Sequence, residues 1–70
     1  MDSTTYTKPT GEKVRALRRE RGWLQQELAD RAGVNMQTVS NVETGRHDPE
    51  LPTLRKIAKA LGVGLGELLG

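Results

Sequence analysis

The chain has 70 residues, a formal net charge of +2 and no cysteine. A chain of this length makes one small domain, and without cysteine it has neither a disulfide framework nor a thiolate metal site, which fits a reducing cytoplasm. No apolar run approaches the ~20 residues that span a bilayer, and no signal-peptide pattern opens the chain. We therefore expect a cytoplasmic protein that makes no membrane contact.

The composition favours helices. Phenylalanine is absent, and the aromatic residues are one tryptophan and one tyrosine, so the core must come from Leu, Val, Ile and Ala. Nowhere do β-branched residues alternate over several positions, as they would in a half-buried strand. The sequence predicts an all-α fold, a compact bundle of four to five short helices.

The first helix carries an excess of positive charge. Residues 1–10 are polar without periodicity and are predicted to form a flexible tail, with Thr10 as the N-cap of a helix that runs to Arg21 and stops at Gly22. On this helix Val14 and Leu17 fall on the same side as Arg21. A basic segment on a near-neutral domain indicates an anionic partner, most often nucleic acid, although a solvated helix face is an equally simple explanation. The stretch from Lys8 to Arg21 holds two acidic residues and six basic ones. The basic residues are Lys8, Lys13, Arg15, Arg18, Arg19 and Arg21.

A very short turn separates the next two helices. Helix 2 is predicted over residues 25–32, and helix 3 begins after Asn35 as N-cap and ends at Gly45. Val34 and Val39 have the spacing of a hydrophobic staple at the start of helix 3. Because the turn at Gly33 is too short for antiparallel packing, the two helices must cross steeply, as in a helix-turn-helix motif over about residues 25–44.

Two further helices complete the predicted domain, residues 11–70. Helix 4 is expected over residues 51–61, with Pro52 in its first turn and a stop at Gly62. The segment "VGLGELLG" predicts a short fifth helix that carries Leu65, Leu68 and Leu69. The amphipathic stripe of helix 4 is the cleanest in the chain, with apolar side chains at i, i+3, i+4 and i+7: Leu54, Ile57, Ala58 and Leu61.

The outer face of helix 3 carries no charge. Val39 and Val42 can anchor this helix, whereas its outward positions hold amides, hydroxyls and one methionine. Gln and Asn can form bidentate hydrogen bonds with adenine in the major groove of DNA, and Met can contact a thymine methyl group. Surface helices usually prefer Glu and Lys, so base reading is favoured over an ordinary polar surface. The predicted base-reading residues are Met36, Gln37, Ser40 and Asn41, with Thr44 on the same face.

The segment "RALRRERGWLQQELADRAGVNMQTVSNVETGRHDPELPTLRKIAKALGV" resembles the helix-turn-helix domain of the phage repressor and Cro family, also called Xre-like regulators. The resemblance covers about residues 11–69. It rests on Arg18 in helix 1, "QQELA" at the start of helix 2, the turn at Gly33, "E-x-G-R" at residues 43–46, and "LRKIAKALGV". It implies a lambda-repressor-like fold and a mostly dimeric, sequence-specific DNA-binding regulator of transcription.

The resemblance also implies roles for individual residues. Arg18 and Glu43 are expected to form an ion pair between helices 1 and 3, which as a surface bridge would contribute only about 0–1 kcal/mol. This chain departs from the usual pattern at Leu24, where relatives commonly cap helix 2 with Ser or Thr. Phosphate contacts, which orient the protein without reading sequence, are implied for Gln25, Asn35, Thr44, Arg46 and Arg18.

We therefore expect a bacterial or phage transcription regulator, a repressor that binds an inverted-repeat operator in double-stranded DNA as a homodimer. The alternative is an antitoxin or a restriction-modification controller that also binds a protein partner, through a surface formed by exposed Leu65, Leu68 and Leu69. An enzyme is not expected, since Asp30, Glu43, Asp48 and Glu50 suggest no acid/base cluster.

Metal and cofactor sites are not expected either. His47 is the single histidine, and a metal centre would lack further nitrogen or sulfur ligands. The glycines serve helix ends rather than a phosphate-binding loop. Trp23, in a chain without phenylalanine, is predicted to belong to the core rather than to stack on a base.

Overall fold

The structure, a computed structural model, describes residues 9–46 and 49–69. Within these ranges the chain forms helices only, which confirms the all-α prediction. Residues 1–8 of the predicted tail (residues 1–10) lie outside the described residues, as do His47, Asp48 and Gly70. The tail prediction is wrong for Pro9 and Thr10, which begin the first helix. The five helices are α1 (Pro9–Glu20), α2 (Gln25–Ala32), α3 (Met36–Thr44), α4 (Leu51–Leu61) and α5 (Leu65–Leu69).

Glycines end the three central helices where the sequence predicts. Gly33, Gly45 and Gly62 follow α2, α3 and α4 with φ of 73°, 73° and 75°, and their N–H groups bond to the last carbonyls of each helix. This left-handed conformation is open to glycine at little steric cost. At the other end of α3, Asn35 acts as the predicted N-cap, because its Oδ1 accepts a hydrogen bond from the Thr38 N–H at 2.8 Å.

The prediction that Thr10 is the N-cap of the first helix is wrong. The helix begins at Pro9, and Thr10 lies inside its first turn. The Thr10 hydroxyl donates instead to the carbonyl oxygen of Leu68 at 3.0 Å. Thr10 therefore joins the start of α1 to α5 at the other end of the chain.

The core consists of aliphatic side chains from all five helices. The predicted stripe of α4 is buried throughout. Leu68 of α5 is fully buried, and Leu65 is half-buried against the core, whereas Leu69 is 54% exposed. The predicted docking surface of three exposed leucines is therefore wrong, since α5 uses Leu68 to hold the bundle together.

Helix α1 crosses α3 at Gly11. Gly11 is buried, and a Cβ atom at this position would overlap the carbonyl oxygen of Val42 on α3. Val14, one turn further along α1, is fully buried. The two backbones can approach closely because Gly11 has no side chain, and this contact sets the position of α3 on the bundle.

Arginines cover the edge of the core around Trp23. Trp23 is half-buried against the core, which agrees with its predicted place, and the Arg31 guanidinium lies over its ring at 4.2 Å. The spacing of Arg21 predicts that it lies on the apolar side of α1 with Val14 and Leu17, but the structure does not place it there. Its guanidinium donates to the carbonyl oxygens of Leu17 at 2.8 Å and Leu61 at 2.6 Å, and so satisfies the C-terminal ends of α1 and α4.

Candidate nucleic-acid interface

The outer face of α3 is a small surface of neutral hydrogen-bonding groups. Gln37 is exposed and Asn41 is half-buried, and the Gln37 side-chain Nε2 donates to Asn41 Oδ1 at 3.0 Å. The predicted side-by-side arrangement is therefore present, and neither amide is enclosed by the core. Met36 is 46% exposed at the start of the same helix. We call these residues, together with Ser40 and Thr44, the amide face.

The opposite side of α3 fixes the amide face in place. Val39 and Val42 are buried in the core, and Val34 packs against it from the preceding turn. The hydrophobic staple predicted for Val34 and Val39 agrees with this packing. Because α3 is fixed on its inner side and capped at Asn35, its outer side chains project from a rigid support.

A buried ion pair joins α3 to α1. Arg18 donates from Nε to Glu43 Oε2 at 2.6 Å and from Nη2 to Glu43 Oε1 at 3.0 Å. Arg18 is 8% exposed and Glu43 is 4% exposed. The predicted pair is confirmed, but it is not the weak surface bridge considered from the sequence. Without Glu43, the Arg18 charge would be left buried and uncompensated.

Glu43 also receives groups from α2 and from a second arginine of α1. Gln25 Nε2 donates to Glu43 Oε1 at 3.1 Å, and Arg15 Nη2 donates to the Glu43 carbonyl oxygen at 3.4 Å. Three helices therefore meet at one carboxylate. The sequence reasoning missed the role of Arg15, although its i, i+3 spacing from Arg18 places both arginines on one side of α1.

The predicted phosphate-binding residues lie around α3 and differ in how exposed they are and in how many hydrogen bonds already hold them. Arg46 and Thr44 are exposed beyond and at the C-terminal end of α3, and Gln25 is half-buried at the start of α2. Arg18 has least freedom, because its Nη1 also donates to the Trp23 carbonyl oxygen at 2.7 Å. Its geometry supports the structural role more than a phosphate contact.

Two other kinds of site are not found in the part of the chain that the structure covers. No group of three or more His, Cys, Asp or Glu residues in residues 9–46 and 49–69 is arranged to hold a metal ion. Within the same residues, no helix has both the length and the apolar character needed to cross a bilayer.

Two short helices that meet at a tight glycine turn, with the second presenting the amide face, define a helix-turn-helix domain. A sequence model described as "Helix-turn-helix" matches residues 14–68. The chain therefore belongs to the Xre/Cro/C1-like helix-turn-helix family of DNA-binding transcriptional regulators. The predicted family and the predicted class of function are both confirmed.

Known relatives agree with this assignment. The chain is 42% identical over 62 residues to an uncharacterized HTH-type transcriptional regulator, y4dJ, of Sinorhizobium fredii, covering 89% of this chain and 80% of that protein. The chain spans between 42% and 80% of the length of such relatives.

Solved structures show the same fold. The P22 c2 repressor in complex with a synthetic operator is 30% identical with a TM-score of 0.83, and the match covers 90% of this chain and 96% of that one. The restriction-modification controller protein C.AhdI from Aeromonas hydrophila is 33% identical with a TM-score of 0.83, and the match covers 87% of this chain and 92% of that one.

Proposed function

We propose that this chain represses transcription by binding an inverted-repeat operator as a homodimer, with α3 in the major groove. The observation that carries the proposal is the amide face itself, in which Gln37 and Asn41 lie side by side on a helix anchored from behind. A similar structure, that of the P22 c2 repressor, was determined with a synthetic operator. A repressor of this kind acts in the cytoplasm and needs neither a cofactor nor a catalytic site.

In this proposal the amide face reads bases. Gln37, Ser40 and Asn41 form hydrogen bonds with base edges, because their short neutral side chains can both donate and accept. Met36 contacts a thymine methyl group. The hydrogen bond between Gln37 and Asn41 restrains the two amides relative to each other. A pair of amides fixed in this way loses less conformational freedom on binding than two independent side chains.

The surrounding residues position the domain on the phosphate backbone. Asn35, Thr44, Arg46 and the N-terminal end of α2 at Gln25 are assigned to phosphates, where helix-end N–H groups and positive charge are favourable. Arg18 contributes indirectly, through its ion pair with Glu43. Of these two arginines of α1, Arg15 has the more exposed side chain, at 40% against 10%, and we assign the phosphate contact to it.

Selection of bound duplexes from random DNA tests the proposal. The expected product is an enriched sequence with two inverted half-sites about 10 bp apart, centre to centre. Sedimentation of the chain with that duplex should show two chains per operator. A failure to enrich any sequence, or an enriched site without two-fold symmetry bound by one chain, would contradict the proposal.

A controller-type function is the second candidate, and its support is the similarity to C.AhdI. A restriction-modification controller would also bind DNA through the amide face. The genes next to the selected operator distinguish the two functions, since an operator beside a restriction-modification gene pair favours the controller.

A further inference from the structure

A cleft of about 600 Å³ lies between the C-terminal end of α2 and the exposed side of α4. Arg31 of α2 and Lys56 and Lys59 of α4 line it, together with Asp30 and small residues that include Ala32 and Ala60. None of its lining residues belongs to the amide face. The cleft is therefore a second polar surface, separate from the groups that we assign to DNA.

The cleft concentrates positive charge. Its lining has three cations and one carboxylate, an excess equal to the net charge of the whole chain. The carboxylate of Asp30 already accepts a hydrogen bond from Gln26 Nε2 at 2.8 Å. Between residues that the structure describes, no ion pair involves Arg31, Lys56 or Lys59. Positive charge therefore exceeds negative charge in the cleft, and none of its three cations is held in an ion pair by another described residue.

Helix dipoles explain only part of this arrangement. Arg31 and Lys59 lie in the last turns of α2 and α4, where positive charge is favourable. Lys56 lies outside the last turn of α4, and at i, i+3 from Lys59 it is a neighbour of like charge, which disfavours the isolated helix slightly. The helix dipole therefore does not account for Lys56.

One of the cations is already held in place. The Arg31 guanidinium lies 4.2 Å from the centre of the Trp23 ring, and Trp23 itself packs against the core. Stacking on an aromatic ring restricts an arginine while leaving its edge free to bind a carboxylate. The entropic cost of ordering Arg31 on a ligand is correspondingly reduced.

We propose that this cleft binds an acidic segment of a protein partner, with carboxylates of that segment against Arg31, Lys56 and Lys59. A cleft of about 600 Å³ that is lined partly by small residues admits an extended peptide or single side chains, whereas a DNA duplex is too wide to enter it. Because the cleft shares no residue with the amide face, one chain can bind DNA and the partner together. This inference does not depend on which operator the chain recognises.

Binding of a labelled hexaglutamate peptide, followed by fluorescence anisotropy at low salt, tests the proposal, with hexaserine as the neutral peptide. The double variant Lys56→Gln/Lys59→Gln should weaken hexaglutamate binding about tenfold or more, because two of the three cations are lost. The double variant Arg19→Gln/Arg55→Gln is the matched control, since it also removes two positive charges and both arginines are exposed and lie outside the cleft. It should change the affinity less than about twofold.

A second readout locates the peptide. Trp23 is the single tryptophan of the chain, so a carboxylate drawn to Arg31 should change its emission. This change should be weaker in the double variant at equal peptide concentration. The substituted lysines are exposed, and thermal unfolding of the variant should match that of the original chain.

Three results would overturn the proposal. Hexaglutamate binding no tighter than hexaserine would show that the cleft does not select acidic peptides. An equal loss in Arg19→Gln/Arg55→Gln would show that only the overall charge matters. A loss of affinity for random duplex DNA as large as the loss for hexaglutamate would assign the cleft to DNA instead.

Discussion

Helices α3 and α4 are alike on their buried sides and different on their exposed sides. Both pack aliphatic residues into the core, and both end at a glycine with positive φ. The exposed side of α4 carries flexible cations, including Arg55, Lys56 and Lys59. The exposed side of α3 carries Gln37 and Asn41, joined by a hydrogen bond.

The exposed cations of α4 and the exposed amides of α3 are suited to two different kinds of recognition. A flexible cation attracts any nearby anion and so contributes affinity with little discrimination. An amide held in a fixed orientation discriminates between base edges, because a wrong base leaves its donor or acceptor without a partner. The comparison predicts that α3 depends on rigid support, whereas α4 does not.

The largest expected effect comes from removing that support at Glu43. Glu43→Ala should lower the free energy of unfolding by about 3–5 kcal/mol, because Arg18 is left buried without its counter-charge. Urea denaturation measures this loss. Glu20→Ala is the control: Glu20 forms an exposed pair with Arg21 at 3.8 Å, worth about 0–1 kcal/mol. Similar losses in the two variants would show that Glu43 does not anchor α3.

The crossing of α1 and α3 provides the next test. Gly11→Ala should destabilise the domain by about 1–3 kcal/mol, because the new Cβ overlaps the backbone of Val42. Gly66→Ala on α5 is the matched change, since its Cβ meets nothing within 4 Å. Alanine there should stabilise by up to about 1 kcal/mol through helix propensity. Thermal unfolding gives both values, and a neutral Gly11→Ala would refute the close approach.

A smaller gain is expected at the start of α2. Leu24 occupies the N-cap position with φ of −78° and ψ of 163°, forms no side-chain cap and is 69% exposed. Leu24→Ser should stabilise the domain by about 1 kcal/mol, because the hydroxyl can accept a hydrogen bond from an unpaired N–H group. Thermal unfolding of Leu24→Ala separates capping from loss of the leucine, and equal stability of the two variants would exclude a capping effect.

The smallest effect is expected from replacing Arg46, and the loss of DNA affinity should not depend on the DNA sequence. Arg46→Ala should weaken operator and random DNA alike, and should reduce the slope of log affinity against log salt by about 0.9, as for one lost phosphate contact. Titrations at several salt concentrations measure this slope. An unchanged slope, or a loss confined to the operator, would remove Arg46 from the phosphate contacts.

The sequence determines local structure well in this chain, because the signals are local. Asn35, Gly33, Gly45 and Gly62 mark helix ends through their own conformational preferences, and α2, α3 and α4 match their predicted bounds. The i, i+4 spacing of Gln37 and Asn41 also suffices to place them side by side.

Contacts between distant residues could not be read in the same way. The hydrogen bond from Thr10 to Leu68 spans 58 positions, and the burial of Glu43 depends on how α1, α2 and α3 cross. The cleft between α2 and α4 forms only once those helices pack. Each of these features depends on tertiary geometry, which the periodicity of one helix does not contain.

The ratio of affinities for the selected operator and random DNA tests the central claim most directly. Gln37→Ala should lower operator affinity by about 1–3 kcal/mol and leave random DNA almost unchanged, because one base contact is lost. Gln26→Ala, an exposed glutamine of α2 that bonds to Asp30, should leave the ratio as it is. An unchanged ratio in Gln37→Ala, or an equal fall in Gln26→Ala, would contradict base reading by α3.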